Sequence, residues 1–290
     1  MSENPLLDYY RQKEIYVKLP TGGKWYKNNP KLTFDGEIGV KAMSVRDELI
    51  LTVPDALYNG QAIYQLIESI CPDIEDPHEI SLPDVDVLLL ASRAASFDKK
   101  MAVESRCPYC DTTDIHELDL TQILSKVKVV AEESVIEIEG LTIDMRPNSL
   151  ASIMASNIRL SQTIKAISEI KEKEETEGLP DLYKESLTLA SAANIAVIAD
   201  SIISVTLPDG TVVKELEHIC DWLSNSNRRI LDLLQAQLNG LNQNGLQKEF
   251  TFTCGQEECE KTFKGPVEFN PAFFFKERSL TPPTQKQSKK

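Results

Sequence analysis

Two cysteine pairs constrain this chain more than any other feature of its sequence. Cys107-Pro-Tyr-Cys110 is a C-x2-C, and Cys254-Gly-Gln-Glu-Glu-Cys259 is a C-x4-C. Strand-like stretches flank each pair. Met101 to Arg106 leads into the first and Asp114 to Leu118 leads out; Glu249 to Thr253 leads into the second, and apolar Phe263, Val267 and Phe269 follow it. Two hairpin tips that each offer two thiolates can enclose one tetrahedral ion, because a tight turn lets one tip supply two donors. The layout predicts a zinc-ribbon-like four-cysteine module in which Cys107, Cys110, Cys254 and Cys259 hold a structural Zn2+. Four protein ligands leave no open position for a substrate. The 143 residues between Cys110 and Cys254 then form a long insertion whose two ends meet.

Zinc knuckles often carry a glycine just after the second cysteine, where the backbone must turn. Asp111 and Glu260 stand there instead, and Gly255 is the only glycine in either knuckle. Three other readings of the four cysteines stay open. A redox C-x-x-C would sit at a helix N-terminus, whereas strands are expected here. Unliganded thiols are the second, and His116 in place of one thiolate the third, although the outgoing strand aims His116 elsewhere. Cys71 and Cys220 lie among apolar helical residues and are expected as buried core thiols.

The chain of 290 residues allows one large domain or two modest ones. Its 41% hydrophobic and 26% charged residues are an ordinary globular balance. Residues 1–14 are expected as a polar N-terminal arm. Residues 15–118 read as an α+β unit carrying the first knuckle. Within it Ile15, Val17 and Leu19 alternate as a strand, short strands follow at Leu32–Phe34 and Glu37–Met43, and helices run from Asn59-Gly60 to Pro72 and from Ser81 to about Phe97. Residues 119–248 read as a mainly helical insertion with two hairpins. The hairpins are Val135–Met145, turning near Gly140, and Val205–Val213, turning at Asp209-Gly210.

In the same insertion, Leu150, Ile153, Met154, Ile158, Ile164, Ile167 and Ile170 recur at helical steps, ending in a charged, solvated run from Lys171 to Glu177. A second helix from Asp181 to about Ile203 returns antiparallel, and two more span about Lys214–Leu223 and Asn227–Asn242. Residues 249–278 bring the second knuckle and closing strands, and 279–290 a disordered tail. The expected class is α+β: small β elements, the cysteine module and a large helical insertion.

Net charge is −14, which repels phosphate backbones, and no basic patch of useful size offsets it, so nucleic acid is not an expected partner. No apolar run reaches the ~18–20 residues that span a bilayer. The N-terminus lacks the basic-then-apolar order of a secretory signal, so a reducing cytoplasm without disulfides is expected. Nucleotide-binding, hydrolase and metalloprotease motifs are missing. Thr21-Gly-Gly-Lys24 reads as a plain turn. Asp84 and Asp86 read as helix-start carboxylates favoured by the dipole. Neither catalysis nor a small-molecule substrate is expected.

Several segments carry a family resemblance: Tyr16-Val-Lys-Leu-Pro-Thr-Gly-Gly23, Gly36-Glu-Ile-Gly-Val-Lys41, Arg46-Asp-Glu-Leu49, Pro54-Asp-Ala-Leu57 and Leu82-Pro-Asp-Val-Asp86, followed by the cysteine pairs. With these the chain resembles, over most of residues 15–275, the baseplate hub assembly proteins of contractile-tailed bacteriophages of the T-even type. The resemblance implies a non-catalytic role in building or forming the centre of the tail baseplate, with other baseplate or tail-hub proteins as partners. The implied location is the host cytoplasm during assembly and then the virion baseplate. An assembly protein needs surfaces, and the candidates are Leu6, Leu7, Tyr9 and Tyr10 in the arm and Phe273, Phe274 and Phe275 near the end, for which a core strand closing the ribbon is an equal reading. The other functional class compatible with the sequence is a cytoplasmic zinc-ribbon adaptor or regulator.

Overall fold

In a computed structural model, residues 5–6, 9–128, 134–172 and 192–267 are described. Strand β1 (Lys13–Lys18) pairs antiparallel with β2 (Glu37–Lys41), Val17 opposite Ile38. Period-two alternation turns Ile15 and Val17 inward and Glu14, Tyr16 and Lys18 outward. Helix α1 (Val45–Ile50) starts in a capping box, in which Ser44 and Asp47 each accept the other's backbone N–H. After α2 (Pro54–Tyr58), α3 (Gln61–Ile70) buries Ile63, Leu66, Ile67 and Ile70, one face at three- and four-residue steps. A 3-10 turn at Pro77–Glu79 leads to α4 (Leu82–Ser96), which is buried on nearly all sides from Pro83 to Ala94. Strands β3 (Lys100–Arg106) and β4 (Thr113–Asp119) form a hairpin, and α5 (Leu120–Ser125) packs back on α4.

The next elements build a second core. Strands β5 (Val135–Ile138) and β6 (Leu141–Met145) turn through Glu139 and Gly140, at φ 51° and 83°. A two-residue hairpin turn with both central residues left-handed fits the strand twist. Helices α6 (Leu150–Glu172) and α7 (residues 192–200) precede β7 (Ile202–Thr206), which pairs with β6; β8 (Val212–Val213) completes an antiparallel sheet ordered β5-β6-β7-β8. Helices α8 (Leu216–Asn225) and α9 (Arg228–Gln243) cover it. Ile230, Leu234, Leu238 and Leu241 of α9 form a stripe in the same core as Ile143, Met145 and Val205. Strands β9 (Glu249–Thr253) and β10 (Thr262–Pro266) then return to the first core with Phe252, Phe263 and Val267. The first core also takes Leu120, Ile123, Leu124, Leu150 and Leu246 from the 119–248 span.

Two joints tie the cores together. Trp25 packs on the second core while its neighbour Tyr26 is buried in the first. Asn148 donates to Asn242 and Ser201 and accepts from the Asn242 amide, while its carbonyl accepts the Leu82 N–H. Within the first core's unit, Lys248 pairs with Asp86 of α4 at 2.8 Å.

Several boundaries differ from those read in the sequence. Leu32–Phe34 is no strand: Thr33 closes a turn onto Glu37, with Gly36 at φ 74° and Phe34 fully exposed. Ser81 precedes α4 as expected but makes no side-chain cap; its backbone bridges Ser149 instead. The expected helix to Ile203 gives way to strand at Ile202, because Ile202 pairs with Met145. Its first part, residues 181–191, and the charged run beyond Glu172 lie outside the described residues. Cys220 is half-buried rather than buried, whereas Cys71 is fully buried, its thiol 3.8 Å from the Gly39 carbonyl. Burial pushes the Cys71 thiol up to about 12.

Candidate metal centre

The β3–β4 and β9–β10 hairpins present their tips to each other. Cys107 and Cys110 come from one tip, Cys254 and Cys259 from the other, and all four Sγ atoms lie within 4.8 Å of one another. Cys110 Sγ is 3.5 Å from Cys254 Sγ, and Cys107 Sγ is 3.9 Å from Cys259 Sγ. A tetrahedral Zn–S distance near 2.3 Å implies sulfur–sulfur edges of about 3.8 Å. The donor set therefore fits a tetrahedral ion of that size and softness.

Local backbone geometry explains how each tip supplies two sulfurs. In the first, the Asp111 N–H reaches the Cys107 carbonyl and the Cys107 N–H the Thr112 carbonyl, both at 2.9 Å. In the second, the N–H groups of Cys259 and Glu260 both point to the Gln256 carbonyl. Asp111 and Glu260 adopt φ 65° and 45°. They occupy the place where a knuckle favours glycine, and the backbone makes the left-handed turn without one, at a cost of roughly 1–2 kcal/mol per residue.

Contacts outside the sulfurs hold the tips in register. Asp114 accepts the Gly255 N–H at 2.9 Å, and Lys261 lies 4.7 Å over the Tyr109 ring. Both contacts run between the hairpins. His116 is not part of the cluster; its ring packs 4.7 Å from Phe252, and its Nε2 is buried with no protein partner. Burying Phe252 and Phe263 contributes roughly 1.5–3 kcal/mol each to hairpin docking.

The electrostatics favour a cation. The Thr112 hydroxyl and amide draw the Cys110 thiol down to about 6. The Gln256 amide favours the Cys254 thiolate, but burial and the adjacent sulfurs outweigh it and push that thiol up to about 12. Without a positive charge, adjacent thiolates oppose one another's ionisation. A bound dication removes that conflict and makes thiolate the stable form of all four.

The other residues singled out from the sequence do not gather at this site. Leu6, Tyr9 and Tyr10 are exposed, Tyr9 at 84%. Leu7, Phe273, Phe274 and Phe275, with the tail at 279–290, lie outside the described residues. The arm is shorter than residues 1–14: β1 begins at Lys13, and Arg11 is pinned. Its guanidinium donates to the Ala42 carbonyl at 2.5 Å, to Asp47 at 2.9 Å and to the Ser69 hydroxyl.

The sequence reading missed the role of Asp47 and the burial of Asp84. Asp47 receives Arg11, the Ser44 amide and the Ser69 hydroxyl. Burial pushes its carboxyl up, but these partners outweigh it and hold it below its ordinary value. Asp84 is more than the helix-start carboxylate expected. It is fully buried and accepts the Thr21 N–H at 2.9 Å, the Thr21 hydroxyl and the Tyr26 hydroxyl at 2.8 Å. Burial pushes it up to about 6 against those hydrogen bonds. It fixes the turn Pro20–Tyr26, whose Gly22, Gly23 and Trp25 all have positive φ.

Fold and site together define an α+β protein in which a four-cysteine cluster, able to hold a metal ion, joins two hairpins far apart in sequence. Among the described residues, no helix is long and apolar enough to cross a membrane. A family model described as T4 bacteriophage base plate protein matches residues 12–270, a span that includes both cysteine pairs. The chain belongs to that family and is a phage baseplate protein. No curated protein and no solved structure matches it.

Proposed function

We propose that the chain is a structural or assembly component of the hub region of a contractile phage tail baseplate. It acts through protein–protein contacts and without catalysis. The family match over residues 12–270 carries this reading. Its partners are other baseplate or tail-hub proteins, and it passes from the host cytoplasm into the virion tail. The N-terminal arm with Leu6, Leu7, Tyr9 and Tyr10, and the aromatic segment Phe273–Phe275, serve as docking elements. Exposed apolar side chains on a short arm gain most by ordering against a partner.

In the same proposal the cysteine cluster is a zinc ribbon whose Zn2+ is structural. Four thiolates close the coordination sphere, so the ion contributes to folding rather than to turnover. Quantitative mass spectrometry of purified virions beside infected-cell lysate tests the assignment. A fixed copy number per particle is expected. Peptides confined to the lysate, and absent from both virions and baseplate intermediates, would overturn it.

A further inference from the structure

Resting on the zinc assignment above, we propose that the cluster is a peroxide-responsive site. Oxidation replaces the ion by two disulfides that cross between the hairpins, Cys110–Cys254 and Cys107–Cys259.

Accessibility sets where the reaction starts. Cys110 is the exposed cysteine of the four; Cys107 and Cys254 are buried and Cys259 is half-buried. A small peroxide therefore meets the Cys110 sulfur first. The sulfur attacks one peroxide oxygen, the O–O bond breaks, and with one proton the products are a Cys110 sulfenic acid and water. The Cys254 sulfur stands 3.5 Å away on the opposite hairpin. It attacks the sulfenic sulfur and expels its hydroxyl, which leaves as water with a second proton. One peroxide has then taken two electrons, and the ion has lost two ligands.

The second pair repeats the chemistry, with Cys107 and Cys259 facing each other at 3.9 Å. In total, one zinc tetrathiolate, two hydrogen peroxide molecules and four protons give one free Zn2+, two disulfides and four waters. Cys71 does not compete, because it is fully buried in the first core.

The pairing has a structural consequence. The new bonds join positions 144 and 152 residues apart, so each removes far more freedom from the unfolded chain than a bond inside one knuckle would. The hairpins stay clamped after the ion has gone. A component built in a reducing compartment and carried out on a particle meets that change of redox environment.

The test uses the full-length protein purified with zinc. Hydrogen peroxide is added stepwise, released zinc is read with a chromogenic chelator, and disulfides are mapped by non-reducing peptide mass spectrometry. One zinc released per two peroxides is expected, with Cys110–Cys254 and Cys107–Cys259 peptides and with Cys71 still a thiol. A Cys220→Ser variant should give the same map. Bonds within a knuckle, Cys107–Cys110 or Cys254–Cys259, or conversion to sulfinic acids, would overturn the proposal. Protein that carries no zinc as purified would instead overturn the zinc reading. The same peroxide map on that metal-free chain would still decide the pairing.

Discussion

Replacing Asp84 should unlatch the turn that bridges the two cores. Its carboxylate accepts three hydrogen bonds, from the Thr21 N–H, the Thr21 hydroxyl and the Tyr26 hydroxyl. Hydrogen bonds to a charged group are worth ~1.5–3 kcal/mol each. Against that stands the cost of burying the carboxylate. Even with those bonds in place, burial leaves the carboxyl at about 6 rather than the ordinary 3.8. Asp84→Ala removes both terms and leaves buried donors without acceptors, so a net loss of roughly 2–5 kcal/mol is expected near neutral pH. Asp84→Asn keeps one acceptor oxygen and should cost less.

Asp84 also leaves a signature in pH. A carboxyl raised in the folded state binds more protons there than in the unfolded chain, so stability falls as pH rises from about 4 to 6. Wild type should therefore lose stability relative to Asp84→Asn across that window. Urea unfolding followed by tryptophan fluorescence measures both effects, since Trp25 sits within the latched turn. If Asp84→Ala unfolds at the wild-type urea midpoint at pH 7, the carboxylate does not hold the turn and the reasoning fails.

Arg11→Ala should destabilise by ~1–3 kcal/mol, because it strips a charged partner from buried Asp47. Asp47 is held low in the fold, so its stabilisation is present above the ordinary carboxylate value and lost on acidification; the variant should fail at higher pH than wild type in an acid titration. Deleting residues 1–10 should leave the melting temperature unchanged and reduce incorporation into baseplates, whereas deleting 1–12 should also destabilise; equal melting curves for the two truncations would contradict the role of Arg11. Glu260→Gly, which removes a left-handed non-glycine residue, should raise stability by ~0.5–1 kcal/mol in chemical denaturation. Cys110→Ser should abolish bound zinc by elemental analysis and lower the melting temperature by more than ~5 °C, the shift expected for a loss of about 2 kcal/mol or more.

Periodicity made the regular elements legible. The β5–β6 hairpin with its turn near Gly140 and the extents of α3 and α9 follow from spacing and glycine placement, because burial enforces one face of a helix or strand. The four cysteines were legible as a set for a different reason: two thiols on a tight turn have few other uses. The turn after each second cysteine was legible too, but not that Asp111 and Glu260 would take it left-handed, since neither residue type demands positive φ. Asp84 was missed because a carboxylate at a helix start already has a sufficient local reason. The warning was the unbroken run Val87–Ala91, which leaves α4 no wet face and forces its first-turn carboxylate inside. Arg11 was missed because its partners are 31 to 58 residues away, and no local pattern encodes such distances. Leu32–Phe34 misled because alternation in three residues is too short to outweigh a glycine turn.

X-ray absorption at the zinc edge, on full-length protein purified without chelator, tests most directly whether one ion clasps the two hairpins. Four sulfur neighbours at about 2.3 Å, with one zinc per chain, are predicted. A shell containing nitrogen or oxygen, or protein free of metal, would contradict it.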